Sequence, residues 1–171
     1  VPVKTDFPIW KTIKLGIGTK TADGFCQALS ERGRIIKDDK CSPLYRPAFV
    51  CSTTECEVDL VTVCERDLGF GPTTPFENIF NRILELGLVP CPIEVGPQLC
   101  LQHDQQETGK FFIGMEPICD KLPWRIGIMP EVFVVGRGAR GEFTLDTHNE
   151  DDFRIWHTDD YRNWIFVNPR K

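Results

Sequence analysis

Within the apolar run Phe111 to Ile118, FFIGMEPI, one residue is charged, Glu116. Burying a lone carboxylate is costly unless it is paired or hydrogen-bonded. Glu116 therefore points outward, has a partner, or lines a polar pocket. Nearby, the stretch Glu85 to Gln102, ELGLVPCPIEVGPQLCLQ, supplies Glu94, Gln98 and Gln102. Together Glu94, Gln98, Gln102 and Glu116 form a candidate binding set, with two carboxylates as polar anchors for a small molecule or peptide. The plainer reading is a solvated sheet face with an acid at a corner.

A second set is catalytic in type. His103, His148 and His157 could act as general acids or bases, with Glu116, Asp146 or Asp159 as partners. Arg125, Arg137 and Arg140 would then serve a phosphate, as a small nuclease-like hydrolase requires. Against this, three histidines are ordinary for 171 residues, and THNEDD reads as a polar loop. Cysteine catalysis has less support. On a strand, Cys100 and His103 point to opposite faces, and Cys91, between Pro90 and Pro92, has no evident base. There is no G-x-S-x-G elbow, and GIGTKTADG and GRGARGE fit neither phosphate-binding glycine pattern.

The eight cysteines include no C-x-x-C pair, and the closest spacing is C-x4-C at Cys51 and Cys56. With histidines so dispersed, no zinc framework is evident, and neither a metal nor a cofactor is expected. A chain of this length can build a core without staples, which favours reduced thiols acting as small buried hydrophobes over disulfide bridges. The acidic, aromatic stretch from Asp146 to Val167 does not match a calcium loop. Its aromatics are read as anchors to the sheet, with a partner surface as the alternative.

These side chains need a scaffold. Phe7 to Ile17 reads as a strand ending at Gly16 and Gly18, and Ala22 to Arg32 as a helix with Thr21 as N-cap and Gly33 as stop. Ile35 and Ile36 start a short strand or a loop; Ala48 to Ser52 and Glu57 to Cys64 read as strands. Pro75 to Leu86 is a helix, with Thr74 and Glu77 as a capping box and Phe76, Ile79, Phe80, Ile83, Leu84 and Leu86 as its apolar face. Gln98 to His103 and Lys110 to Ile118 are read as a hairpin. Trp124 to Met129, Val132 to Val135, Glu142 to Asp146 and Asn163 to Val167 are further strands. The expected fold is α+β, a single domain over residues 1–171, with a largely antiparallel β-sheet and two main helices packed on one face.

Composition narrows the partners. Net charge is −5 and pI about 5.2, so no nucleic acid is expected as partner; Lys4, Lys11, Lys14 and Lys20 read as one solvated face. No apolar run reaches the roughly 18 residues needed to span a bilayer, so no membrane partner is expected. No signal peptide is visible, although the chain opens at Val1 and upstream trimming stays open.

Several stretches taken together carry a resemblance: WKTIKLG (Trp10 to Gly16), EVDLV (Glu57 to Val61), ELGLVPCPIEVGPQL (Glu85 to Leu99), GMEPI (Gly114 to Ile118) and WIFVNPRK (Trp164 to Lys171). The chain resembles a group of short uncharacterised bacterial open reading frames with no known activity. The resemblance implies a bacterial, cytoplasmic, stand-alone domain and transfers no functional residue. The resulting expectation is a non-enzymatic module binding a small molecule or protein, with homo-oligomerisation as an option. The competing expectation is the hydrolase.

Overall fold

A computed structural model describes residues 4–37, 43–72, 74–104, 109–119, 130–138, 140–149 and 161–170. Its strands are β1 (Lys11–Leu15), β2 (Ile35–Ile36), β3 (Cys56–Cys64), β4 (Lys110–Ile113), β5 (Glu131–Arg137), β6 (Phe143–Asn149) and β7 (Asn163–Asn168). Its α-helices are α1 (Ala22–Glu31), α2 (Phe76–Glu85) and α3 (Val95–Gln102). The expected strand from Trp124 to Met129 and residues Cys41, Phe153, Trp156, His157 and Asp159 lie outside the described residues.

The seven strands form one sheet in the order β1-β3-β7-β4-β5-β6-β2. The class is α+β as expected, but the sheet is mixed rather than largely antiparallel. Its β4 runs parallel to β7 and its β2 parallel to β6, while the other four pairings are antiparallel. The expected hairpin from Gln98 to Ile118 does not form: Gln98 to Gln102 is helical, and β4 pairs instead with β5 and β7. Ala48 to Ser52 is not a strand either.

Burial explains where the helices go. Glu131 to Gly136 of β5 and Trp164 to Val167 of β7 are buried without a break. Strands of that kind need cover on both faces. Register pairs Phe112 with Val134 and with Trp164, so these three share a face, and Phe133 lies on the other. Phe76 and Phe80 of α2 meet Trp164 and Phe166, with ring centroids 4.9 and 6.0 Å apart. Gly96 of α3 lies against Phe133, where a Cβ would come within 2.7 Å of the ring. Phe49 bridges Phe133 to Phe25 of α1, at 6.4 and 5.6 Å. Phe76 and Phe80 of α2 thus meet the face of Trp164 and Phe166, and Gly96 of α3 meets the face of Phe133.

The ends of α1 follow from local side-chain and glycine chemistry. Thr21 accepts the Gly24 N–H at the start of α1 (3.1 Å), and Gly33 follows its end with φ of 67°. At α2 the cap differs: Thr74 donates its hydroxyl to the Gly71 carbonyl (2.9 Å), so no capping box forms. Ile79 and Ile83 of α2 are buried, but Leu84 is exposed, which narrows the expected apolar face.

Candidate functional site

Three of the four candidate residues occupy one stripe. Glu94 precedes α3, and Gln98 and Gln102 follow at four-residue intervals. On a helix that interval stacks side chains along one face. Pro97 is tolerated because first-turn N–H groups have no intrahelical acceptor. The stripe runs along β1, which is an edge of the sheet.

Every polar atom in this stripe has a defined task. The Lys14 N–H donates to Gln102 Oε1 (2.8 Å), and Gln102 Nε2 donates back to the Lys14 carbonyl (2.6 Å). Gln102 thus bonds an edge residue as a neighbouring strand would. Gln98 Nε2 donates to the Ile17 carbonyl (3.1 Å) and to Glu94 Oε1 (2.9 Å), while Gln98 Oε1 accepts from Gln102 (2.9 Å). The Glu94 carboxylate accepts the Gly16 N–H on Oε1 and the Ser52 N–H on Oε2, each at 2.8 Å. His103 joins the row, its Nε2 meeting the Thr12 carbonyl (3.3 Å).

Thr12, Lys14, Gly16 and Ile17 are thereby held by side chains of the α3 segment. An unpaired strand edge is a template for unwanted pairing, and such side chains cover it. Glu94 is 1 % exposed and ties β1, the Ser52 loop and α3 together. Gly16 makes the junction possible: its φ is 72°, and a Cβ would lie 2.3 Å from the Thr54 carbonyl oxygen. The buried carboxylate is thus satisfied within the fold, as burial of a charge demands.

Glu116 is not part of this stripe. It is exposed beside the bridge that pairs Cys91 with Met115. There it lines an open recess of about 530 Å3, whose walls include Pro90, Cys91, Pro92, Ile93, Met115 and Ile118. That volume falls within the roughly 300–1,000 Å3 of small-molecule sites. Among the described residues, Glu116 has neither a hydrogen-bond nor an ion-pair partner. The structure therefore separates the candidate set: Glu94, Gln98 and Gln102 lie together, and Glu116 lies apart.

The remaining chemical groups are dispersed. His103 is bound to a backbone carbonyl, and the His148 ring stands edge-on to Phe112 (5.1 Å). Cys91 and Cys100 are buried, which pushes both thiols far above their ordinary range, and burial lifts Cys51 to about 11. The seven described cysteines are free thiols, and among the described residues no cluster of His, Cys, Asp and Glu is arranged to hold a metal ion.

Among the described residues, two further ion pairs are buried that the sequence reading does not contain. Glu65 contacts the Arg162 guanidinium and accepts the Trp164 indole N–H (3.2 Å); burial pushes its carboxyl up. Arg46 pairs with Glu131 at 3.1 Å, both nearly fully buried. The available signal was a charged residue flanking an apolar strand, Glu65 after β3 and Glu131 opening β5. The recess walls join the prolines around Cys91 to Met115 and Ile118 of the apolar run that holds Glu116.

Comparison with family models, curated proteins and solved structures finds no match for this chain.

Proposed function

We propose that this chain is a non-enzymatic ligand-binding module, with the recess beside Glu116 as its site. One observation carries the reading: a carboxylate without a partner among the described residues stands on a largely apolar recess of ligand size. Glu94, Gln98 and Gln102 support it by contrast, because their hydrogen bonds are used within the fold. A recess with an apolar wall and few polar groups suits recognition of one small molecule. His103 supports the non-catalytic reading, since its ring nitrogen meets a backbone carbonyl and it does not line the recess.

A thermal-shift screen of a small-molecule fragment library against the wild type and Glu116→Ala tests this. Ligands of the wild type should raise its melting temperature, and the shift should shrink in Glu116→Ala, whose unliganded melting temperature should be unchanged. Hits that act equally on both proteins, or a library without hits, would remove the support for this site.

A further inference from the structure

At the end of β5 far from the recess, arginines from three segments gather. Ile118 of the recess bridges Glu131, the first residue of β5, whereas Arg137 is the last. Six strand steps put about 20 Å between them. Arg137 pairs with Phe143 across β5 and β6, so their side chains share a face. The Arg34 guanidinium lies over that same Phe143 ring, 5.0 Å from its centroid. Arg34 also contacts the Asp104 carboxylate and donates to the Cys100 carbonyl near the end of α3 (3.2 Å). Arg32 is the C-cap of α1, two positions before Arg34. Asp104 senses all three: Arg34 first, then Arg32 and Arg137, hold its carboxyl below the usual range.

Charge does not cancel at this end. Asp104 is engaged by Arg34. Glu142 accepts the Arg140 N–H of its own turn (2.9 Å), and Glu31 accepts from Gln27 (2.9 Å). Three guanidinium groups thus surround one carboxylate in a chain whose net charge is −5. Helix dipoles account for part of this, since Arg32 and Arg34 stand at the C-terminal ends of α1 and α3, where cations are favoured. They do not account for Arg137, which is on a strand and donates to the Gly141 carbonyl of the adjoining turn (3.1 Å). Arg32 and Arg137 are both exposed.

We propose that Arg32 and Arg137 hold the phosphate group of a small molecule at this end of the sheet, over the fixed pair of Arg34 and Asp104. The planar fork of a guanidinium matches phosphate oxygens, and arginines arriving from different elements suit a dianion better than a monoanion. This site is separate from the recess and does not rest on it. Because both arginines are exposed, binding is weak and screened by salt. Each should contribute about two- to fivefold in affinity.

The test is a titration of the full chain followed through the amides of Arg32, Gly33, Arg34, Asp104 and Arg137 by 1H–15N NMR. The probes are inorganic phosphate, pyrophosphate, acetate and a short single-stranded oligonucleotide, at low and at high salt. The proteins are the wild type, Arg32→Gln and Arg137→Gln, whose urea midpoints should match the wild type because both side chains are exposed. Phosphate and pyrophosphate should bind more tightly than acetate, and each substitution should weaken them about two- to fivefold. Acetate binding as tightly as phosphate overturns the phosphate class. Phosphate affinity unchanged in both variants overturns the role of the arginines. A response to the oligonucleotide with none to phosphate or pyrophosphate overturns the small-molecule ligand in favour of nucleic acid. No response to any probe at these amides overturns the site.

Discussion

Glu94→Gln changes one oxygen for an amide nitrogen at nearly constant volume, which makes it a sharp probe of what Glu94 does. The carboxylate receives three hydrogen bonds: Gly16 N–H and Gln98 Nε2 on Oε1, and Ser52 N–H on Oε2. An amide has one acceptor oxygen. If it keeps the two bonds on the Oε1 side, its NH2 faces the Ser52 N–H, donor against donor. Leaving a part-buried N–H unsatisfied costs about 1–3 kcal/mol. The two surviving bonds lose their charge assistance, about 0.5 kcal/mol or more each. The expected loss is about 2–4 kcal/mol. Urea unfolding would show it as a midpoint about 1–2 M lower, for a slope of roughly 2 kcal/mol/M that stays unchanged. A loss under about 0.5 kcal/mol would refute the claim that Glu94 holds the fold together.

Other consequences are equally specific. A Cβ at Gly114 would lie 2.0 Å from the Phe166 ring, so Gly114→Ala should cost roughly 1–3 kcal/mol by overpacking, read by the same unfolding assay; a neutral result would contradict the packing of that strand end. The Arg170 guanidinium, bonded to both oxygens of Asp59, and the Thr12 hydroxyl hold the Asp59 carboxyl down at about 2. A depressed value gives stability that is present above the unfolded value near 3.9 and lost as pH falls through the folded one. The stability gap between wild type and Asp59→Asn should therefore be full above about pH 4 and close toward pH 2; a gap constant over that window would count against the pairing. Brief alkylation at pH 8 with mass-spectrometric mapping should label exposed Cys56 and Cys119 ahead of Cys51, and buried Cys91 and Cys100 only on unfolding; early labelling of Cys91 or Cys100 would contradict their burial.

Local chemistry was legible in the sequence, and long-range pairing was not. Thr21 and Gly33 bracket α1 as their types require, and the β-branched content of EVDLVTVC marks the strand β3. The parallel pairing of β4 with β7 joins Phe112 to Trp164 across 52 positions of chain, counted from their residue numbers. No turn residue or period encodes such a partner. The helix α3 was missed because VGPQLCLQ offers a glycine, a proline and apolar residues that suit a strand equally well. Its apolar periodicity is faint, since Val95 to Cys100 are all buried. The usable signal was polar: Glu94, Gln98 and Gln102 recur every four residues, the period of a helix and not of a strand. Glu116, the one charge in its apolar run, is exposed in the fold. Its distance from Glu94 was illegible, because only the folded chain brings Met115 beside Cys91.

The division between the two acids can be examined in a single measurement. Crystals of the full chain soaked in a fragment mixture would show directly where small molecules settle. The account predicts ligand density in the recess against Pro92 and Met115, within hydrogen-bond reach of Glu116, with the Glu94 carboxylate still bonded to Gly16 and Ser52. Density on the stripe of Glu94, Gln98 and Gln102, with those backbone bonds broken and the recess empty, would contradict it.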